Sequence, residues 1–275
     1  MGTYDFKTQP SVVIQGAMDV ETEYLIGQLR ERECITLGNW MFYTGFLGAG
    51  STPVIVSKTF QGMVNAAAAT SLAMVFFAPA AVINQGIGGG HDPKLHVGDI
   101  VIGTSVAPMG AMLRPFAAAG AGIGDADFSP LGLEVFNREW GEARKLTDFS
   151  CSEALVRVAE ETAEKFLSEE KQAGGTKRRI VRGVLGSADE WNNQLDRIAL
   201  LRERFCTAEE DMESAATAQV CAAYGVPFLG IRILSNTIVN GEDYDERVAA
   251  IGQRFVVRFA EALAQKIDGT NIRGI

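Results

Sequence analysis

Apolar and polar positions alternate along this chain at two spacings. Short, nearly continuous apolar runs at residues 11–15, 53–57, 80–84, 180–185 and 226–231 predict strands buried on both faces. Residues 97–102, after a turn at Val97-Gly98-Asp99, begin another. Residues 34–37 and 41–46 read as a hairpin, with Gly38-Asn39 between them as turn residues. Helical spacing predicts helices over about 20–32 and 152–167, and over about 245–267, where Val248, Ile251, Phe255, Phe259, Leu263 and Ile267 share one face. Residues 61–77 read as an Ala-rich buried helix. A second small-residue helix, running to about Tyr224, follows the acidic turn Glu209-Glu210-Asp211-Met212-Glu213. Strands alternating with helices predict an α/β sandwich with a largely parallel core sheet.

The pattern fades from Ala107 to about Asp148, where Gly, Ala, Pro and Met dominate up to Pro130. A long irregular loop in a compact domain is usually functional or mobile, and a lid or subunit-contact loop is expected here. Residues 1–10 are polar and read as a flexible N-terminal segment without the apolar core of a signal peptide. Residues 171–177 read as an exposed turn. Neither a linker nor a repeat is visible, so residues 11–268 are expected to form a single domain.

Composition narrows the classes of function. Of 275 residues 47% are hydrophobic, ample for a sizeable core in one domain. The net charge of −9 and the lack of a sustained basic block, beyond Lys177-Arg178-Arg179, argue against nucleic-acid binding. No apolar run reaches the roughly 18–20 residues that span a bilayer. Four widely spaced cysteines form no metal pattern and read as buried free thiols in a reducing, cytoplasmic compartment. With two histidines in the chain, a His-rich metal site is not expected, and no cofactor is called for.

Several segments carry candidate chemistry, each with a plain structural alternative. Gly86-Ile87-Gly88-Gly89-Gly90 follows a strand. It is a weak dinucleotide signal, because His91-Asp92-Pro93 breaks the pattern. A tight crossing where only glycine fits, or a backbone approached closely by a small ligand, accounts for it as well. Just past the first strand, Asp19 suits a helix N-cap, with Glu21 and Glu23 complementing the helix dipole. Trp191, beside Asp189, Asn192 and Asn193, suits stacking on a flat ring, or anchors its loop on the core. The carboxylates ahead of the Ala-rich helix either complement its dipole or face a ligand. Arg232, Ser235 and Asn236 end the strand that follows, where ligands bind in open α/β sheets.

Taken in order, these landmarks resemble the purine nucleoside phosphorylase superfamily, most closely the 5′-methylthioadenosine/S-adenosylhomocysteine nucleosidases. The resemblance spans roughly residues 12–267. It rests on Gly16-Ala17-Met18 with Glu21, Tyr43-Thr44-Gly45, and Asn84-Gln85-Gly86-Ile87-Gly88-Gly89 followed by Val97-Gly98-Asp99-Ile100-Val101. It continues through Gly186-Ser187-Ala188-Asp189, Asp211-Met212-Glu213-Ser214-Ala215, and Val226-Pro227-Phe228 with Arg232 to Ser235. It implies a three-layer αβα sandwich around a mixed, largely parallel twisted sheet, and cleavage of a purine N-glycosidic bond through an oxocarbenium-like state. It also implies a homodimer, as is usual for the nucleosidases, or the trimers and hexamers of the phosphorylases.

The resemblance further implies a role for each matched residue. Glu21 is the general base that deprotonates the attacking water. Glu213 binds the ribose hydroxyls and favours the developing positive charge. Met212 and Met18 pack against the sugar, and Arg232 helps place the water or substrate oxygens. Trp191 stacks on the base, the backbone around Asn192 reads its edge, and Tyr244 closes over the 5′ side. Ile87, next to Gly88, stands where a Ser commonly contacts phosphate or water. Ser235 lies in the matched strand end. Asp19 and Glu21 replace the Gly and Arg with which the phosphorylases hold phosphate, so water is the expected nucleophile. The chain departs from the nucleosidases at Asn236, where they carry Asp. An Asn amide donates to N7 and O6 of a 6-oxopurine but cannot protonate a leaving adenine. A 6-oxopurine nucleoside is therefore a candidate substrate, beside a slower adenine nucleosidase or one that protonates the base by another route. A phosphorylase, or a non-catalytic storage or nucleoside-binding protein on the same fold, are the alternatives.

Overall fold

The computed structural model describes residues 10–269 apart from 123, 125, 126 and 173–176. The expected flexible segment at 1–10 lies, but for Pro10, outside the described residues. In chain order the elements are β1 (Val12–Gly16), α1 (Asp19–Gln28), β2 (Arg30–Leu37), β3 (Trp40–Phe46), β4 (Pro53–Lys58), α2 (Met63–Phe77) and β5 (Ala81–Gly90). There follow β6 (Ile100–Pro108), β7 (Met112–Leu113), β8 (Ser129–Pro130), β9 (Leu133–Asn137), β10 (Glu142–Leu146), β11 (Phe149–Ser150), α3 (Glu153–Gln172) and β12 (Ile180–Ser187). The chain ends with α4 (Leu195–Phe205), β13 (Thr207–Asp211), α5 (Ser214–Tyr224), β14 (Phe228–Asn236) and α6 (Ala249–Gly269).

Ten strands form one mixed sheet. The apolar runs predicted as strands make its parallel ladders: β1 with β4 and β5, β5 with β14, and β12 with β6 and β13. β14 also pairs antiparallel with β6, and β13 returns to β5 through Glu209↔Gly90 and Glu210↔Gly89. The strands β5, β14, β6, β12 and β13 thus close into a ring, while β1, β4, β3 and β2 extend as a twisted wing. Helices α2 and α5 cover one face, and α1, α3 and α6 the other, giving the three layers expected. Small buried residues, Ala66, Ala69 and Ala73 on α2 and Ala215 and Ala218 on α5, let the first pair approach closely. Phe166 of α3 and Phe255 of α6 meet edge to face, their centroids 5.5 Å apart, inside the second group.

Several elements differ from expectation for identifiable reasons. α1 stops at Gln28, because the charged run from Arg30 continues the hairpin as a solvent-facing edge strand. The Gly86–Gly90 run is not a loop. It is the second half of β5, clamped by ladders to β14 and β13. Residues 209–211 of the acidic turn end strand β13, whose five residues are all buried. α4 was not anticipated at all. The faded stretch contains the hairpin β9–β10 and the short ladder β7–β8. The last helix begins at Ala249, after a single 3₁₀ turn. Cys151 and Cys221 are buried, but Cys34 and Cys206 are exposed, contrary to the expectation of buried thiols throughout; all four are free. No helix among the described residues is long and apolar enough to cross a membrane.

Candidate active site

The C-terminal ends of β1, β5 and β14 converge with β13 on one cleft. Where the chain leaves β1, Glu21 sits in the first turn of α1 and folds its carboxylate back over the helix start. One oxygen accepts the N–H groups of Ala17 and Met18 at 2.7 and 2.9 Å, and the other accepts Ile87 N–H at 2.9 Å. The expected cap, Asp19, is instead the first residue of the helix and pairs with Lys58. Burial pushes the Glu21 carboxyl above its ordinary value. The Ile87 N–H, the Arg232 charge and the other two N–H groups oppose that shift. Gly86 lies directly under Glu21: a Cβ at that position would run into the carboxylate. Here the glycine serves a close approach and not a turn.

Across the cleft, Asp211 ends β13. Its Oδ1 accepts the N–H groups of Glu213 and Ser214 at 2.9 and 2.8 Å, capping α5. Its Oδ2 lies 3.2 Å from Arg232 Nε. Glu213, at the α5 N-cap, accepts Gly62 N–H at 2.8 Å, which ties the start of α2 to the start of α5. Burial, then the Asp211 charge, push the Glu213 carboxyl up to about 7, against the pull of Arg232 and Gly62 N–H. Beneath them Glu209 is fully buried, and neither of its oxygens has a hydrogen-bond partner among the described residues. Burial and the Asp211 charge raise its carboxyl well above the usual range.

At the end of β14, Ser235 Oγ lies 3.2 Å from both Gly88 O and Asn236 Oδ1, either of which can accept its single proton. At the mouth the Trp191 and Tyr244 rings lie 5.7 Å apart, both exposed. Asn192 gives its backbone N–H and its side-chain amide to Glu210.

Of the residues singled out in the sequence, Met18, Glu21, Ile87, Gly88, Trp191, Met212, Glu213, Ser235, Asn236 and Tyr244 line this cleft. Two do not. Asn192 lies behind Glu210, with its N–H already engaged. Arg232 is only 1% exposed, and it donates to Asn84 O and Ile231 O at 3.1 and 3.0 Å and to Asn84 Oδ1. Its side chain is not among those that line the cleft. It balances the surrounding carboxylates from behind the wall. Ala17, Gly89, Glu210 and Asp211, from segments the sequence marks as candidates, line it too, as do Gln61 and Glu190, which it does not single out. For Glu210 and Asp211 the signal is the acidic run, of whose two readings the ligand-facing one fits their place in the lining. Gln61 precedes an apolar helix and gave none.

Five carboxylate residues, Glu21, Glu190, Glu210, Asp211 and Glu213, line the cleft, and no Lys or Arg does among the described residues. Such a site favours a ligand that gains positive charge and disfavours a phosphate dianion. Aromatic rings at the mouth, hydrogen-bonding groups at the far wall and buried carboxylates between are the furnishings of a nucleoside-cleaving α/β enzyme. The family model of the phosphorylase superfamily matches residues 11–268, and the chain belongs to that superfamily. Among its relatives, a 5′-methylthioadenosine/S-adenosylhomocysteine nucleosidase of Bacillus cereus (strain G9842) is 30% identical over 259 residues, covering 92% of this chain and 99% of the relative. That of Geobacillus sp. (strain WCH70) is 33% identical over 228 residues, covering 82% and 84%. The solved nucleosidase from Neisseria meningitidis, in complex with methylthio-immucillin-A, superposes with a TM-score of 0.70 at 25% identity, covering 92% of this chain and 99% of that one. Futalosine hydrolase of Helicobacter pylori strain 26695 shares the fold, with a TM-score of 0.71 at 20% identity and coverage of 93% and 99%.

Proposed function

We propose that this chain is a purine nucleoside N-ribosyl hydrolase that prefers a 6-oxopurine base. The hydrolytic class follows its relatives, which are nucleosidases that break an N-glycosidic bond. The observation that carries the choice of nucleophile is the cleft lining: five carboxylate residues and no cation among the described residues. A phosphate dianion brought there would be repelled by several kcal/mol, whereas water is not.

In this reading the base stacks on Trp191 and the sugar lies over Met212 and Met18. Tyr244 covers the 5′ side, and Ile87 and Gly88 form the floor. Glu213 accepts the ribose hydroxyls and favours the positive charge at C1′ as the C1′–N9 bond breaks. Glu21, its carboxylate oriented by three N–H groups, takes a proton from water as its oxygen bonds to C1′. The electron pair of the broken bond leaves with the base, whose N7 and O6 are met by the Asn236 amide. Ser235 Oγ lies within donating distance of that amide's oxygen. Asn236 can only hydrogen-bond, so it suits a leaving group that departs without being protonated at N7.

Residues 11–268 act as one domain in this reading, and two copies pair as a homodimer. Val64, Val75 and Phe76 on the outer face of α2 are exposed and favour such pairing.

The test is base release from methylthioadenosine, S-adenosylhomocysteine, adenosine, inosine and guanosine, each with and without phosphate. Phosphate-independent release, fastest with a 6-oxopurine nucleoside, is the expected result. Release that requires phosphate overturns the hydrolase reading, and a preference for adenine overturns the base assignment.

A further inference from the structure

We infer that Glu242 is a positioning residue of this site: its carboxylate staples the segment that carries Tyr244 to the turn ahead of β6, and so sets the Tyr244 ring over the cleft beside Trp191. This deepens the function proposed above and rests on a nucleoside lying in the cleft with its 5′ side under Tyr244.

Three observations carry it. First, the segment has no hydrophobic anchor of its own. Between the end of β14 at Asn236 and the start of α6 at Ala249, the chain makes two 3₁₀ turns, Ile238–Asn240 and Glu246–Val248. From Ile238 to Arg247 no residue is buried. Such a stretch opens locally unless polar contacts hold it. Tyr244, which lines the cleft, stands within it and is 43% exposed. Second, one carboxylate supplies those contacts. Glu242 Oε2 accepts Val97 N–H at 2.9 Å and the Thr237 hydroxyl at 2.6 Å, and Oε1 lies 2.8 Å from His96 Nδ1. The backbones of Thr237 and Glu242 exchange both N–H···O bonds at 3.1 Å, which closes the near leg of the loop. Third, the far side of the staple is fixed to the sheet. The buried Asp99 accepts His96 N–H at 3.0 Å and Arg179 N–H at 2.7 Å, and Gly98 N–H donates to Leu234 O at 2.8 Å.

Tyr244 therefore lies between two fixed points: Glu242 just before it, and Asp245, whose N–H donates to Ser235 O at 2.7 Å. Without the first, the Asn240 amide on Leu95 O at 2.8 Å still holds the base of the loop, but nothing of Glu242 holds the ring. The strands keep their ladders. A nucleoside needs the ring in place; a free base, stacked on Trp191 and met by Asn236, does not reach it. Loss of the staple lowers the fraction of molecules in the closed arrangement, and the apparent affinity for a nucleoside falls by that fraction.

The test uses the full chain as wild type, Glu242→Ala, Tyr244→Ala and the double variant. kcat and KM are measured for the fastest nucleoside of the panel above, alongside calorimetric binding of its free base. Glu242→Ala is expected to raise the nucleoside KM about tenfold or more, with a smaller change in kcat, and to shift free-base affinity less than about threefold. In the Tyr244→Ala background the same substitution should change kcat/KM less than about twofold, because Glu242 acts through that ring. Equal effects in the two backgrounds would overturn the inference, and so would a loss of free-base affinity as large as the rise in KM, which marks a general disturbance of the cleft. Turnover with a KM that Glu242→Ala leaves unmoved removes Glu242 and leaves the hydrolase reading standing. Release of base from no member of the panel removes the proposed function, and the inference with it. Should Glu242→Ala misfold, Glu242→Gln, which keeps an oxygen for Val97 N–H but no charge toward His96, carries the same cycle: a smaller rise in KM, absent without Tyr244, is expected, and an unchanged KM refutes the staple.

Discussion

Replacing Glu213 by Gln is expected to stabilise the fold at alkaline pH. In the native chain, burial and the neighbouring Asp211 charge keep the Glu213 carboxyl protonated up to about pH 7, whereas the ordinary value is 4.5. Between these values the folded state binds more protons than the unfolded state. Stability therefore falls as pH rises through that window, and the whole cost is present above it. The interval from 4.5 to about 7, at about 1.4 kcal/mol per pH unit, corresponds to ~3 kcal/mol. Gln carries no charge at any pH and keeps an oxygen for the 2.8 Å bond from Gly62 N–H. The variant should therefore gain ~3 kcal/mol at about pH 8, and less than about 1 kcal/mol at about pH 5, where the native carboxyl is already neutral. Urea unfolding of both proteins at the two pH values, without ligand, measures this directly. A gain of equal size at both pH values would assign the effect to packing and refute the electrostatic argument. No gain at the higher pH would refute it too. The expected loss of activity would make Glu213 a site held at the expense of stability.

The same elevated carboxyl governs the pH profile: kcat/KM should fall about tenfold per pH unit below about pH 7, where Glu213 takes up a proton. Asp211→Asn, which keeps an oxygen for the α5 cap but removes the charge that raises Glu213, should move that limb to lower pH, and an unmoved limb would assign it elsewhere. Glu21→Gln should lower kcat by about 10²–10⁴ while leaving binding of the free base nearly unchanged; an undiminished rate would take Glu21 out of the mechanism. Asn236→Asp should raise the rate on adenosine relative to inosine, because the acid can donate a proton to N7, and an unchanged ranking of substrates would sink that role. Gly86→Ala should displace the Glu21 carboxylate, since its Cβ would occupy the same space, and lower kcat by about 10² with the thermal midpoint little changed.

The parts of this molecule legible in the sequence are those in which local pattern and tertiary surroundings agree. Apolar runs such as Pro53–Lys58 and Phe228–Asn236 are strands because both faces are covered, and the residues past β1 and β14 face the cleft because the parallel ladders bring those ends together. The failures share one cause. Residues 207–211 carry three adjacent carboxylates, a composition that signals solvent, yet they form a buried strand. Their neighbours supply what the pattern cannot display: Arg232 for Asp211, Asn192 and His91 for Glu210, and a raised pKa for Glu209. Glycines 86–90 signalled a loop for the complementary reason. The spaces their missing side chains leave are filled from elsewhere in the chain, by Glu21 at Gly86 and Glu209 at Gly88. Arg232 was assigned to the cleft because its strand end is there, but its side chain points under the floor.

These two misreadings meet in the logic of the site. Closing the ring of β5, β14, β6, β12 and β13 requires a strand that lies against the glycine run, and the side chains that fit over glycines there are long carboxylates. Glu21, Glu209, Asp211 and Glu213 are all buried within reach of the Arg232 charge. One guanidinium cannot neutralise four carboxylates, so the excess is met by protonation: Glu209 is raised well above the usual range and Glu213 to about 7. The field left in the cleft is negative. That field lowers the energy of a sugar acquiring positive charge at C1′ and raises that of a phosphate dianion entering beside it. The choice of water over phosphate therefore needs no dedicated water-binding residue. It follows from the same buried charges that close the barrel, and a single lysine introduced at Gln61, on the rim of the cleft, should weaken that discrimination measurably. Phosphate inhibition of base release, negligible in the parent chain, should appear in Gln61→Lys; its absence would show that the negative field does not govern the choice of nucleophile.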